Sequence, residues 1–216
     1  MATAAARSSA QNAAFVRARL ASVLSLLPLG AWTVVHLWHN LAAFEGPAAW
    51  QNAVTEYPHP LAQLVTLVVV LLPLAIHLAW GLARLATTQP NNLRYGTFAN
   101  LKYALQRLSA IGVLLFLGAH LWLAMLHPRL VEGHAEAFAD LSHEMHFHAP
   151  TLAVYLLGTL GVSYHLANGV HSFAMGWGLV VSRRALAKLD AWVVVAFVVL
   201  LAMSWGAIYG LYIGAT

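Results

Sequence analysis

Asp, Glu, Lys and Arg are absent from five stretches of the chain, residues 20–44, 57–83, 108–128, 145–182 and 191–216. Each reaches the roughly 20 residues that carry a helix across a hydrocarbon core of about 30 Å. The pattern predicts five transmembrane helices, near 20–43, 61–86, 105–127, 150–176 and 190–214. The fold class expected is all-α, because lipid offers the backbone no hydrogen-bonding partner and an open chain of this pattern satisfies it only as helices. The segment TTQPNNLRYG, residues 87–96, carries the Pro and Asn signals of a connection between the second and third helices. No charge run or low-complexity linker divides the chain, so residues 1–216 are read as one domain.

The charges between these stretches are segregated. With five spans the connections alternate sides, and one side collects Arg7, Arg17, Arg19, Arg84, Arg94, Lys102, Arg107, Arg183, Arg184 and Lys188, ten of the eleven basic residues. The other side has Arg129 as its one base, beside Glu45, Glu56, Glu132, Glu136, Asp140 and Glu144. The positive-inside rule places the N-terminus in the cytoplasm and the C-terminus outside. The opening MATAAARSSAQNAAFVRARL is polar and mildly basic, but the apolar run after it is longer than a signal-peptide core. It is read as a tail before an uncleaved first helix.

Composition agrees with this reading: 61% of residues are hydrophobic and 8% are charged. A net charge of +4 raises nucleic-acid binding as an alternative. The location of the bases assigns that charge to topology instead, with a second use as a docking face for a cytoplasmic partner. Cysteine is absent, which excludes disulfides, a covalently attached c-type haem and a thiolate-bound iron–sulfur cluster. Any electron carrier must be held by another ligand.

Histidine is the candidate. Of twelve, His36, His77, His120 and His165 fall one to a span in the first four spans. A lone membrane histidine often does no more than hydrogen-bond a neighbouring helix, but intramembrane ionisable groups are costly and mark function. His36 is nine residues before Glu45 and His120 nine before Arg129, which puts both about 13 Å below the outer surface. His77 is seventeen residues after Pro60 and His165 fifteen after Pro150, so these two share a deeper level nearer the cytoplasm. Two histidines at one depth on different helices suit the two axial positions of a haem iron, with none left open for oxygen. The expectation is two stacked b-type haems, His77 with His165 on the inner side and His36 with His120 on the outer. Gly81, Gly118 and Gly161 stand near these histidines and would give a flat ring room, although glycine also serves ordinary membrane helix contacts.

The strings LQRLSAIGVLLFLGAHLW, LLPLAIHLAWGL and YHLANGVHSFAMGWG, the last followed by SRR, together with the opening LASVLSLLPLGAWTVVHLWHN, resemble the five-helix di-haem cytochrome b membrane anchor of succinate dehydrogenase. The likeness is to the Bacillus-type anchor, which is related to that of di-haem fumarate reductases. It spans all five predicted helices, roughly residues 17 to 214, and is weakest over 129–149. The resemblance implies that His36, His77, His120 and His165 are the four axial ligands, with Asn168 and Gly169 in an H-x-x-N-G motif after the fourth. It implies a multi-pass subunit of a bacterial cytoplasmic membrane. Its partners would be a flavoprotein that oxidises succinate and an iron–sulfur subunit, and its electrons would pass through two haem b groups to a quinone, menaquinone by the resemblance. Arg84, Arg107, Arg183 and Arg184 would pair with haem propionates or with the partner, or merely snorkel. Ser163 stands where some fumarate reductases carry an acidic proton-transfer residue, so that pathway is not carried over.

His39 is read as interfacial or near a quinone, and His171 as structural. His134, His143, His146 and His148 have a spacing that could hold a transition metal, but the loop shows no firm helical frame and a polar outer loop explains it more simply. Glu45, Trp50 and Glu56 flank the outer haem level and are the candidate quinone pocket. Two other functions fit parts of the pattern: a di-haem cytochrome b of a formate dehydrogenase or hydrogenase, and a histidine-based metal transporter. The first should lack the five-helix order and the H-x-x-N-G context. The second would place acidic groups along a path through the bundle, and the predicted spans contain no Asp or Glu beyond Asp190 at the very start of the fifth.

Overall fold

The structure is a computed structural model, and it describes residues 12–13, 15–17, 19–55, 60–87, 94 and 96–215. All of the regular elements among these are helical. Helix α1 runs Phe15–Glu45 and α2 Pro47–Val54. A short segment, Pro60–Val65, leads into α3, Thr66–Ala86. Then come α4, Phe98–Glu132, α5, Phe138–Phe147, α6, Ala149–Gly176, and α7, Arg183–Ile213.

Four of these helices, α1, α3, α4 and α7, are long and apolar enough to cross a membrane. The fourth predicted span, α6, has 28 residues and ample length. Its hydropathy is lower because Thr159, Ser163, His165 and Asn168 lie in its middle, and the first, second and last of these are buried against protein rather than turned to lipid. The helices extend past several predicted ends. Charged residues near the helix ends are accommodated along the helix: Arg19 lies over the Phe15 and Trp177 rings at 4.6 and 5.7 Å, and Arg107 over Tyr103 at 4.9 Å. Such side chains keep their charge near water while their stems cover apolar surface.

Proline and glycine punctuate the helices. Pro28 sits inside a widened turn of α1, Ser25–Gly30, where a missing N–H and the ring's bulk disfavour a regular turn. At the end of α1, Gly46 has φ 104° and lets the chain reverse into α2, which begins with Pro47. Thr97 caps α4 by accepting from the Asn100 N–H, and Ser182 caps α7 by accepting from the Ala185 N–H.

Helix α6 is the centre, packed along α4 on one side and α7 on the other, while α1 crosses α7 near its end and α3 lies mainly against α1. Gly158 on α6 makes the α4 contact possible: a Cβ there would lie 2.3 Å from the Phe116 ring. At one end of the bundle α2 and α5 pack over the long helices. There Trp50, Phe138, Leu141, Met145, Ile208 and Leu211 form the densest apolar core. We call this the capped end; the opposite one, carrying Arg19, Lys102 and Arg183, is the basic end. The outward faces show many exposed Val, Leu and Trp side chains, Trp192 and Leu115 among them, as suits a surface solvated by lipid tails.

The loop expected at 129–149 departs from expectation. Residues 138–147 form α5, tied down by the Ser142 hydroxyl, which donates to Leu211 O at 2.6 Å. Gln51 binds the loop before it, donating to Glu136 O at 3.0 Å and accepting from the Phe138 N–H at 3.1 Å.

Candidate haem-binding site

The bundle brings the four histidines together two by two. His36 of α1 faces His120 of α4 with ring centres 6.0 Å apart and planes at 71°. His77 of α3 faces His165 of α6 at 6.1 Å and 73°. The first pair lies toward the capped end and the second toward the basic end. All four side chains are half-buried.

These distances have a chemical meaning. An imidazole nitrogen binds a metal ion at about 2 Å and the ring centre lies about 1 Å behind it, so rings on opposite sides of one ion have centres about 6 Å apart. The side chains around the rings prepare the same nitrogen for that use. Nδ1 of His77 meets the Ser25 hydroxyl, that of His165 the Ser109 hydroxyl at 3.3 Å, and that of His120 the Tyr155 hydroxyl at 3.2 Å. An Nδ1–H held by an oxygen leaves the Nε2 lone pair free for a metal. His36 is oriented otherwise: it stacks on Trp32 at 4.5 Å, and Asn40 donates to its carbonyl at 2.8 Å while its own Oδ1 accepts from Trp50 Nε1 at 3.2 Å.

Two further observations fit a planar, anionic group. Arg107 Nε is buried without a hydrogen-bond partner, one residue from Gln106, whose amide donates to His165 O at 3.2 Å. A propionate would satisfy such a donor. A Cβ added at Gly81 or Gly118 would meet nothing within 4 Å, so those two glycines leave room. Gly161 is different. Its added Cβ would touch Ser109 O and Val113 at 3.7 Å, an ordinary helix contact, and it gives no space for a ring.

The other residues singled out in the sequence separate into structural and peripheral roles. Asn168 is buried and donates to Gln106 Oε1 at 2.8 Å, tying α6 to α4 beside His165. His171 joins Lys102 and Asp190: Lys102 Nζ reaches Asp190 at 2.8 Å and His171 Nε2 at 3.4 Å, and His171 reaches Asp190 at 3.2 Å. The cluster links α4, α6 and α7 near the basic end. Ser163 is fully buried and donates to Thr159 O at 2.8 Å. His39 is half-buried on α1.

At the capped end the four loop histidines do not converge. His134 lies near Glu132 and Asp140, with ligand atoms within 4.8 Å of one another, all exposed. His146 stacks on Tyr212 and bonds its carbonyl at 2.8 Å. His148 bonds Thr151 and Glu144, and His143 packs on Phe147. Of the residues expected at a quinone pocket, Trp50 is 1% exposed, a core side chain rather than a wall. Glu45 is exposed at the end of α1, and Glu56 lies outside the described residues. A cavity of about 230 Å³ does open at this end, lined by Leu123, His127, Pro128, Glu136 and Asp140 among others, but neither Glu45 nor Trp50 lines it.

What the sequence left unseen is the packing around His120. Phe116, one turn before it on α4, stacks on its ring at 5.3 Å and 21°, and Tyr155 stands edge-on to Phe116 at 5.3 Å. The spacings Phe116 to His120 and Tyr155 to Thr159 place these residues on inward faces. Which partner each finds depends on the register of α4 against α6, which only Gly158 hints at.

Comparison with known proteins adds to this geometry. Over 175 residues, 81% of this chain and 85% of the other, it is 29% identical to the succinate dehydrogenase cytochrome b558 subunit of Bacillus subtilis (strain 168). The chain is similar to a succinate dehydrogenase cytochrome b subunit. This is the family the histidine-bearing strings resemble, and the match extends well beyond them. No protein-family model and no solved structure matches the chain.

Proposed function

We propose that the chain is the membrane anchor and electron-transfer subunit of a succinate:quinone oxidoreductase, a five-span cytochrome b of a bacterial cytoplasmic membrane. One observation carries the reading. Four histidines, one on each of α1, α3, α4 and α6, meet as two pairs at the spacing of imidazoles that share a metal, in a chain similar to a cytochrome b subunit.

In this reading His77 and His165 hold an inner haem b, and His36 and His120 an outer one. When bound, the haems would supply two one-electron carriers. The polypeptide does the rest. It holds His77, His120 and His165 as the tautomers that ligate through Nε2, orients His36 by its stacking on Trp32, and excludes water with α6 and its neighbours. At the inner rim it presents Arg107 to a propionate.

Succinate oxidation belongs to a flavoprotein partner, and an iron–sulfur subunit docks on the basic end, where ten of eleven bases collect by sequence. The absence of cysteine requires that the clusters be the partner's. The quinone, taken as menaquinone from the resemblance, reacts near the capped end, beside the outer pair. Helix α6 completes the five spans as the fourth along the chain: it is long enough, and Thr159, Ser163 and Asn168 are buried in the bundle.

The test is a dithionite-reduced minus oxidised visible spectrum of the purified protein, with haem counted per chain as its pyridine complex. Two b-type haems per chain is the expected result. None, in folded protein expressed with ample haem, would return the histidines to a structural or transport role.

A further inference from the structure

The two histidines of the basic-end pair are held in the same way, from two different helices. Ser25 donates its own proton to Ala21 O at 2.7 Å, one turn back on α1, so its oxygen is left to accept from His77 Nδ1–H. Ser109 likewise donates to Gln106 O at 3.0 Å on α4 and accepts from His165 Nδ1–H. Gln106 Nε2 also lies 3.2 Å from His165 Nδ1; one of its two N–H groups is engaged with His165 O, and the other, a donor that cannot receive the Nδ1 proton, competes with Ser109 by favouring the opposite tautomer. Its amide is fixed in this sense by Asn168, which occupies Oε1.

The serines also share a register. Ser25 is eleven residues before His36 on α1, and Ser109 eleven before His120 on α4. Eleven residues of a regular helix are three turns plus about 20°, so serine and histidine lie on nearly one face about 16 Å apart along the axis. Each of these helices thus ligates at one level and steadies a neighbour's ligand at the other.

We propose that Ser25 and Ser109 are matched positioning residues for the basic-end pair, fixing His77 and His165 as Nδ1–H tautomers and raising the basicity of their Nε2 atoms toward a single shared iron. The inference rests on the haem reading above. An imidazole whose Nδ1–H is held by an oxygen is a stronger donor to the metal and favours the ferric state, so loss of the hydroxyl raises the midpoint potential of that haem.

The experiment is a redox titration, read in the visible spectrum, of the complex carrying Ser25→Ala, Ser109→Ala, or Thr at either position. The expected result is that the two alanine variants, on different helices, move the same one of two midpoints upward. The other midpoint stays in place, and threonine, which keeps a hydroxyl able to bond the preceding turn, restores the wild-type value. Loss of that one haem in alanine but not threonine variants supports the same role. The inference is overturned if neither midpoint moves, if both move together, if the variants move different haems, or if threonine loses haem as alanine does. Fewer than two haems in the wild-type chain would instead sink the haem reading itself, and this inference with it.

Discussion

His165 and His36 belong to different pairs and share no partner side chain, so their removal should be separable. Replacing His165 with Ala is expected to abolish one haem's absorbance and halve the haem bound per chain, while the other spectrum persists. His36→Ala should remove the complementary one. Retention of both haems in either variant, counted as the pyridine complex, would refute the ligand assignment. The interplanar angles of 71° and 73° add a second readout. Crossed imidazole planes leave the two iron orbitals that mix with them nearly degenerate, so both oxidised haems should show the strongly anisotropic low-spin EPR signal rather than the rhombic type given by parallel planes. Glycines separate equally well. Gly158→Ala drives a methyl into Phe116, and overpacking of this kind costs about 1–3 kcal/mol, to be seen as easier unfolding in detergent. Gly118→Leu meets no protein atom within 4 Å at its Cβ; its expected effect is loss of the capped-end haem without that destabilisation, and an unchanged haem content would show that the space there is not used.

At the scale of elements, α6 shows what was legible in the sequence and what was not. Its length and the level of His165 could be read directly, because the run lacks Asp, Glu, Lys and Arg and Pro150 marks its start. The two histidine pairs were legible too, since depth depends on residue count along straight helices and needs no knowledge of packing. The role of Ser25, Ser109, Gln106 and Tyr155 was not, because a hydroxyl or amide on an apolar helix acquires meaning only from the neighbour it faces. Helix α5 was missed for another reason: its two histidines, His143 and His146, and its acidic residues read as a polar loop, while the buried stripe Phe138, Leu141, Ser142 and Met145 is short and interrupted by a serine. The Ser142 bond to Leu211 O fastens α5 to α7. Ser142→Ala should cost about 1 kcal/mol and make residues 129–149 more susceptible to protease added at the capped end. Unchanged cleavage would mean that the apolar contacts of α5 hold it alone.

For the whole molecule the decisive quantity is the distribution of charge between its ends. At the basic end Lys102 pairs with Asp190, and Arg19 and Arg107 lie over Trp177 and Tyr103; a surface pair of this kind contributes little to stability. Their main effect is therefore on insertion and on docking. If all five long helices cross the membrane, the N-terminus and the 177–182 connection lie in the cytoplasm with the bases, and the C-terminus lies outside. Alkaline phosphatase fused after Thr216 should then be active, and fused within 177–182 inactive, with a cytoplasmic fluorescent reporter giving the reverse at both sites. Activity of the phosphatase at neither site would mean that α7 does not cross, since both sites would then lie on the cytoplasmic side. Activity at 177–182 alone would mean that α6 does not cross or, where a fusion between α3 and α4 is active as well, that the bundle is inverted. In the inverted case the basic end would face away from any cytoplasmic iron–sulfur partner, and the route from that partner through His77 and His165 would be closed.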